Sequence, residues 1–210
     1  MNRESRLSFG NIILSQGEAN DDASKSKASA ILNAEARKAG LSAFCPEGQP
    51  ARYLARRDFV MKAGGQAPAL PDEAELWGLL EGLCENCSSF EALRGADVLK
   101  LALDKAGYEG RKVLEERAPK SVKLPSGKEA SIVYETGKPP SVAGKLQDFF
   151  GLNDCPKVGG QPLTVQLLAP NQRPVQITSD LRGFWEREYP RLRKELGRKY
   201  PKHKWPEIPA

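Results

Sequence analysis

The sequence predicts an α+β fold: a helical N-terminal part, then a ββαββα module with two β-hairpins, and amphipathic helices at the C-terminus. Two observations support this prediction. Apolar residues recur at helical spacing before Pro119, and after it they alternate along short segments bounded by Pro and Gly. We therefore expect a single strand over residues 1–17, a helical region over 18–118 and an α+β domain over 119–210.

The N-terminal part begins with the stretch RLSFGNIILS at residues 6–15, which predicts a lone strand without a nearby partner. Helices are expected over residues 24–39, ended by Gly40, and over 50–62, ended by Gly64 and Gly65. A third helix is expected to begin at Pro71 with acidic residues in its first turn, and SSFE at residues 88–91 has the pattern of a capping box. Two further helices are expected over 97–106 and 109–118, with Gly107 between them.

The alternating pattern after Pro119 predicts two hairpins with a short helix between them. The first hairpin turns at PSGK and places one set of apolar residues on the same side: Val122, Leu124, Ala130, Ile132 and Tyr134. The stretch VAGKLQDFFG at residues 142–151 predicts the short helix. In the second hairpin, Leu163, Val165 and Leu167 are expected to face Val175 and Ile177.

The stretch SDLRGFWEREYPRLRKELGRKY at residues 179–200 predicts amphipathic helices. Steps of three and four residues give an apolar stripe of Trp185, Tyr189, Leu192, Leu196 and Tyr200. The same steps give an opposite cationic row of Arg187, Arg191, Lys194, Arg198 and Lys202. Pro190 is expected to divide the segment into two helices and to lie in the first turn of the second. The tail YPKHKWPE then predicts an extended strap across the domain, with Trp205 as a packing anchor.

The positive charge of the chain is concentrated in this C-terminal segment. Residues 182–210 hold nine Lys or Arg and four Glu, whereas the preceding residues are balanced, and the whole chain has a formal net charge of +5. Such asymmetry indicates a polyanionic partner, and cations beside aromatic rings suit single-stranded nucleic acid. The candidate nucleic-acid-binding residues are Arg187, Arg191, Lys194, Arg198, Lys199, Lys202, His203 and Lys204. The alternative is that these cations only solvate the outer face of a helix.

The residues predict no catalytic site. The phosphate-binding pattern G-x-x-x-x-G-K-[ST] is absent, since PSGKE and VAGKL contain only its Gly-Lys pair. Cys84 and Cys87 form a CxxC motif without a second pair of ligands, so we expect buried thiols, with Cys87 on the apolar stripe of its helix, and no metal site. We also expect a cytoplasmic protein without membrane contact, because the sequence shows neither a long apolar run nor a secretory signal. We expect it to be a monomer.

Several stretches resemble the C-terminal region of the HrpB family, bacterial DExH-type ATP-dependent RNA helicases. They are ERAPKSVKLPSGKEASIVY, PPSVAGKLQDFFGL, the segment from RPVQITSD to RKYPKH, and the closing YPKHKWPE. Lys204 departs from the family pattern, which is expected to have a small residue or proline before the tryptophan. The resemblance also marks residues 1–17 as the remnant strand of a preceding OB-like domain.

The resemblance implies a non-catalytic accessory module of an ATP-dependent helicase. Single-stranded RNA or DNA and the helicase core domains in cis are the implied partners. ATP and Mg²⁺ are implied only for the catalytic cassette, so no cofactor is expected in this chain. The alternative is a structural or protein-interaction domain that braces the helicase core, or recruits a partner, without binding nucleic acid.

Overall fold

A computed structural model describes residues 4–9, 12–18, 22–45, 50–64, 69–87 and 89–209, with side chains described from residue 26 onward. Its contacts group the chain into two compact units. The first comprises Met1–Leu54 and Gln66–Arg111, and the second comprises Ala55–Gly65 and Lys112–Ala210. The α+β class, with a helical N-terminal part and C-terminal helices, is confirmed. The predicted domain limits at residues 17 and 118 stay a prediction.

The N-terminal strand is not alone, so the prediction of a lone strand is wrong. Strands β1 (Glu4–Phe9) and β2 (Ile12–Glu18) pair antiparallel, with Glu4 opposite Glu18 and Phe9 opposite Ile12. The sequence signal for this pairing is the dipeptide Gly-Asn between the strands, which favours two-residue hairpin loops.

The helices of the N-terminal part follow the predicted limits closely. They are α1 (Asp22–Ala39), α2 (Pro50–Lys62), α3 (Glu73–Asn86), α4 (Phe90–Arg94) and α5 (Val98–Arg117), with a 3₁₀ turn at Leu41–Phe44. Gly40 ends α1 with a φ of +78°, and Gly107 interrupts α5 with a φ of +69°. Both positions require the left-handed region, which glycine adopts without steric cost.

The predicted capping box at residues 88–91 is wrong by one position. Ser89 caps α4, since its Oγ accepts from the N–H of Ala92 at 3.1 Å. A complete capping box stands instead at the start of α3, where Asp72 Oδ1 accepts from the N–H of Glu75 and Glu75 accepts from the N–H of Asp72. Ser88 lies outside the described residues.

The buried stripe of α3 consists of Leu76, Leu80 and Cys84. Cys87 is only partly buried and lies at the C-terminal cap of the helix, so its predicted place on the stripe is wrong. Leu76, Leu80 and Cys84 follow one another in steps of four residues, which places them on one face of the helix. Cys87 is the residue that caps the helix, and its backbone is already extended, so it no longer follows this face.

The second unit contains a five-stranded sheet in the order β3 (Ser121–Lys123), β4 (Glu129–Val133), β5 (Ser141–Lys145), β8 (Thr164–Leu168) and β9 (Pro174–Thr178). Only β5 and β8 pair in parallel. Strands β6 (Lys157–Val158) and β7 (Gln161–Pro162) form a separate small hairpin. The predicted first hairpin is confirmed, with Gly127 in its turn and with Leu124, Ala130 and Ile132 buried.

The predicted helix over residues 142–151 is largely wrong. Residues Ser141–Lys145 form strand β5, and only Leu146–Phe149 make a 3₁₀ turn. Two causes favour the strand. The β-branched Val142 favours an extended backbone, and the segment pairs with β4 on one side, where Val142 lies opposite Ile132, and with β8 on the other.

The second hairpin, β8–β9, forms as predicted but in a different register. Ile177 lies opposite Gln166 and is 60% exposed, so it does not face Val165 or Leu167. An irregularity between Leu167 and Leu168 shifts the pairing, and a shift of one residue turns a strand's side chains to the other face.

No helix in the part of the chain that the structure describes is long and apolar enough to cross a bilayer.

Candidate nucleic-acid interface

The C-terminal helical segment consists of three connected pieces. A single turn α6 (Leu181–Gly183) is followed by a π-helical turn (Phe184–Glu188) and by α7 (Tyr189–Lys199). Pro190 lies in the first turn of α7, as predicted. Since Pro190 has no N–H to donate, the ladder shifts here, and the N–H of Tyr189 bonds to the carbonyl of Phe184, five residues back.

The apolar stripe of this segment faces the core of the second unit, which confirms its predicted orientation. Tyr189 is fully buried, Trp185 and Leu196 are nearly so, and Leu192 and Tyr200 pack against the same core. The rings of Trp185 and Tyr189 meet edge to face at 5.3 Å, and the indole of Trp185 donates to the carbonyl of Leu152 at 2.7 Å. These contacts fix the rotation of α7 about its axis, and its opposite face therefore points to solvent.

The tail after α7, which we call the strap and define as residues 201–209, begins with a turn at residues 201–203 and then lies back over the second unit, as predicted. The hydroxyl of Tyr189 donates to the carbonyl of Pro206 at 2.9 Å, and the indole of Trp205 donates to the carbonyl of Tyr200 at 3.1 Å. The N–H of Gly151 donates to the carbonyl of Pro209 at 2.6 Å. Trp205 packs partly buried against the core, so its role as a packing anchor is confirmed.

All eight candidate binding residues are exposed, and we call them together the basic surface. Three of them, Arg191, Lys194 and Arg198, follow one another along α7, and Lys202, His203 and Lys204 follow in the strap. The binding role of all eight stays a prediction.

Acidic groups approach only two members of the basic surface within the described residues. Arg187 pairs with Asp180 at 2.9 Å, and Arg191 makes a longer contact with Glu195 at 3.7 Å. The remaining cations of the surface, Lys194, Arg198, Lys199, Lys202 and Lys204, have no carboxylate within ion-pair distance in the described part of the chain. Their charge is therefore available to a ligand.

His203 is the exposed ring of a small aromatic group. Its centroid lies 6.3 Å from the ring of Tyr200 and 6.4 Å from the ring of Trp205, both of which are partly buried. The ammonium of Lys199 lies 5.7 Å from the centroid of Tyr200. The group thus brings exposed cations and an exposed ring together at the end of α7.

Two contacts of the C-terminal segment do not follow from the sequence pattern. Arg193 was counted only as charge, but its Nε donates to the carbonyl of Trp205 at 3.0 Å and its Nη1 pairs with Glu207 at 2.9 Å. The sequence offers one signal for these contacts: Arg193 follows Leu192 and lies off the cationic row of the helix. Asp180 was not singled out either: the N–H of Gly183, and then the guanidinium of Arg187, lower the pKa of its carboxyl.

Three of the four cysteines, Cys45, Cys84 and Cys155, are buried. Burial is the main cause that raises the pKa of Cys45, Cys84 and Cys155 above the ordinary value of a thiol. A raised pKa disfavours the thiolate, which is the nucleophilic and metal-binding form. This observation supports the interpretation of Cys84 as a small hydrophobic side chain.

Comparison with known proteins decides the family of the chain. Residues 79–209 match the model of a family described as ATP-dependent helicase C-terminal (HrpB_C). The chain belongs to this family. The resemblance read from the sequence is thereby confirmed.

The relatives are longer than this chain. It is 32% identical, over 193 residues, to the ATP-dependent RNA helicase HrpB of Escherichia coli. The alignment covers 89% of this chain and 22% of that protein. A crystal structure described as the E. coli DExH-box NTPase HrpB matches with a TM-score of 0.72 and 28% identity, covering 98% of this chain and 26% of that one. A second, described as the E. coli DEAH/RHA helicase HrpB, matches with a TM-score of 0.62 and 25% identity, covering 95% of this chain and 26% of that one. The chain thus spans about a quarter of the length of these HrpB proteins.

Proposed function

We propose that this chain is a non-catalytic accessory part of an HrpB-type ATP-dependent RNA helicase, and that it contacts single-stranded nucleic acid through the basic surface. The observation that carries the proposal is a set of exposed cations that have no acidic partner among the described residues, on a face whose underside is anchored in the core. By analogy with an ATP-dependent helicase, we assign ATP, Mg²⁺ and the helicase core in cis to the part of such a protein that this chain does not cover.

The geometry of α7 suits a nucleic-acid backbone. Successive cations three or four residues apart lie about 4.5 to 6 Å apart along a helix axis. Each phosphate they neutralise releases counterions, so binding would weaken steeply with salt. The exposed ring of His203, next to Tyr200 and Trp205, offers a base a stacking surface, which favours a single strand over a duplex.

A salt titration of binding to a fluorescently labelled single-stranded oligoribonucleotide tests this proposal. If about five phosphates are neutralised, the logarithm of the affinity should fall against the logarithm of salt with a slope of roughly −3 to −4. Binding that is absent at low salt, or that has a flat slope, would contradict the proposal. Binding of the separately expressed helicase core without binding of the oligonucleotide would support the structural alternative instead.

A matched pair of double variants locates the binding site. Arg191→Glu with Arg198→Glu reverses two exposed cations of the basic surface, and we expect a loss of binding without unfolding. Lys105→Glu with Arg111→Glu makes the same change of net charge in the first unit, on exposed cations that pair with Glu75 and Asp104. The control should bind almost as the wild type does. Equal losses in both variants would show that only the net charge of the chain matters.

A further inference from the structure

The strap carries three members of the basic surface, Lys202, His203 and Lys204, although residues 201–209 form neither a helix nor a strand. Their positions therefore depend on separate contacts that tie the strap to α7 and to the turn at Gly151. Three of these contacts come from Tyr189, Gly151 and the indole of Trp205, as described above. The fourth is the contact of Arg193.

Arg193 is oriented differently from the cations around it. Its side chain is 32% exposed, whereas that of Arg191 is 86% exposed. The guanidinium contacts the strap at two points: the carbonyl of Trp205 at 3.0 Å and the carboxylate of Glu207 at 2.9 Å. A planar guanidinium presents several donors in a fixed arrangement, so one side chain fixes two points of the strap, and a lysine could not make both contacts in the same geometry.

We propose that Arg193 is a positioning residue, which holds the strap so that Lys202, His203 and Lys204 continue the basic surface of α7. This inference rests on the proposed function and adds to it how the single-strand site is assembled. Arg193 contributes to binding through the strap and does not contact the phosphates. We call the two contacts of Arg193, with the carbonyl of Trp205 and with the carboxylate of Glu207, the clamp. When the clamp is absent, the strap cations lie on a looser segment, and the nucleic acid must order that segment when it binds.

The charge-conserving variant Arg193→Lys gives the first test. It keeps the cation but loses the two-point contact, so we expect it to weaken binding of a labelled single-stranded oligoribonucleotide by about fivefold, close to the effect of Arg193→Met. Glu207→Gln removes the ion pair from the strap side, at an exposed position that does not endanger folding, and should give a smaller loss of the same kind. If Arg193→Lys binds as tightly as the wild type, Arg193 acts by charge alone and the proposal is overturned.

A double-mutant cycle separates positioning from direct contact. In the background of Lys202→Gln with Lys204→Gln, the strap cations no longer contribute, so Arg193→Met should have almost no further effect. A further loss as large as that in the wild-type background would place Arg193 on the nucleic acid itself and overturn the proposal.

Amide hydrogen exchange tests the clamp without any ligand. The N–H of His203 in the strap donates to the carbonyl of Tyr200 at the end of α7, and the N–H of Gly151 donates to the carbonyl of Pro209. Both amides should exchange faster in Arg193→Lys and Glu207→Gln, while the amides of strands β5 and β8 keep their protection. Unchanged exchange would overturn the inference even if the wild type binds. If exchange is faster in the two variants but the wild-type chain binds no oligonucleotide, the proposed function is overturned while the clamp stays in place.

Discussion

The helices of the first unit and the C-terminal segment of the second both expose many cations, but the two regions differ in how often a carboxylate lies beside the cation. In the first unit, four exposed cations have a carboxylate partner: Arg37 contacts Glu81, Lys38 lies 2.7 Å from Glu35, Lys105 lies 3.3 Å from Glu75, and Arg111 lies 2.8 Å from Asp104. On α7 and the strap, most members of the basic surface have no such partner in the described part of the chain.

This difference shows that the number of Lys and Arg residues does not by itself identify a binding surface. An exposed ion pair contributes about 1 kcal/mol or less to stability, so neither set of cations is needed for the fold. In each pair of the first unit, the carboxylate nevertheless cancels the positive electrostatic potential of the cation. The unpaired cations of the basic surface keep their positive potential. What holds the unpaired row in place is the apolar underside of α7.

The first and largest effect is expected for Tyr189→Ala. This change removes a fully buried ring from beneath the basic surface and should reduce the free energy of unfolding by about 3–5 kcal/mol. Because the outer face depends on the inner one, single-strand binding should fall with it. Chemical denaturation and an anisotropy assay of the same sample measure both quantities.

Tyr108→Ala is the matched control in the first unit, since Tyr108 is 72% exposed. It should change the free energy of unfolding by no more than about 0.5 kcal/mol and leave binding unchanged. A Tyr189→Ala chain that stays stable would show that α7 does not depend on its underside.

The sequence was sufficient for the features that depend on local periodicity. The apolar stripe from Trp185 to Tyr200 and the outward direction of Arg191 and Lys194 follow from steps of three and four residues. The predicted breaks at Gly40 and Gly107 follow from backbone preference.

The features that were predicted wrongly, or not predicted at all, depend on residues distant in sequence. The apolar spacing of Ser141–Lys145 fits both a helix and a strand, and pairing with β4 on one side and with β8, more than twenty residues away, on the other decides for the strand. The exposure of Ile177 depends on an irregular pairing in β8. The contacts of Arg193 and Asp180 with their partners depend on where the strap and the π turn place them, which no spacing rule gives.

The second effect concerns pH and the buried phenols of the second unit. Burial is the main cause that raises the pKa of Tyr134 and of Tyr189 to about 12. A tyrosine titrates near pH 10 in an unfolded chain, so the folded state favours the neutral phenol. The resulting stability is fully present below about pH 10 and is lost as the pH rises through about 12, by about 1–3 kcal/mol in all.

Denaturation at several pH values, together with tyrosinate absorbance, measures this loss. Tyr189→Phe and Tyr134→Phe should each flatten the pH dependence and remove part of the absorbance change at the alkaline end. An unchanged alkaline titration in both variants would contradict the assigned environments.

The third effect comes from making α7 resemble the first unit. Lys194→Glu removes one cation and places a carboxylate four residues before Arg198, where it can form an i,i+4 pair. Affinity should fall by about 10- to 30-fold at ~0.1 M salt, because two phosphate contacts are lost, each with a slope contribution of about 0.7. Helix stability should rise by a few tenths of a kcal/mol.

Lys194→Gln provides the comparison, since it removes the cation without supplying a partner and should cost only about fivefold. If the two variants bind equally, pairing by a neighbouring carboxylate does not determine which cations bind, and the contrast between the two units has no functional meaning.

The smallest effect is expected at Asp180, whose carboxylate is the acidic partner of Arg187. Asp180→Asn should release Arg187 to the ligand and tighten binding by about two- to fivefold, with a salt slope steeper by about 0.7. The cap of α6 should survive, because an asparagine oxygen can still accept from the N–H of Gly183. Asp154→Asn is the matched control: it frees Arg182, which lies outside the basic surface, and should leave both affinity and slope unchanged. If Asp180→Asn does not change the slope while the control behaves as expected, then Arg187 does not reach the nucleic acid, and the binding row begins at Arg191.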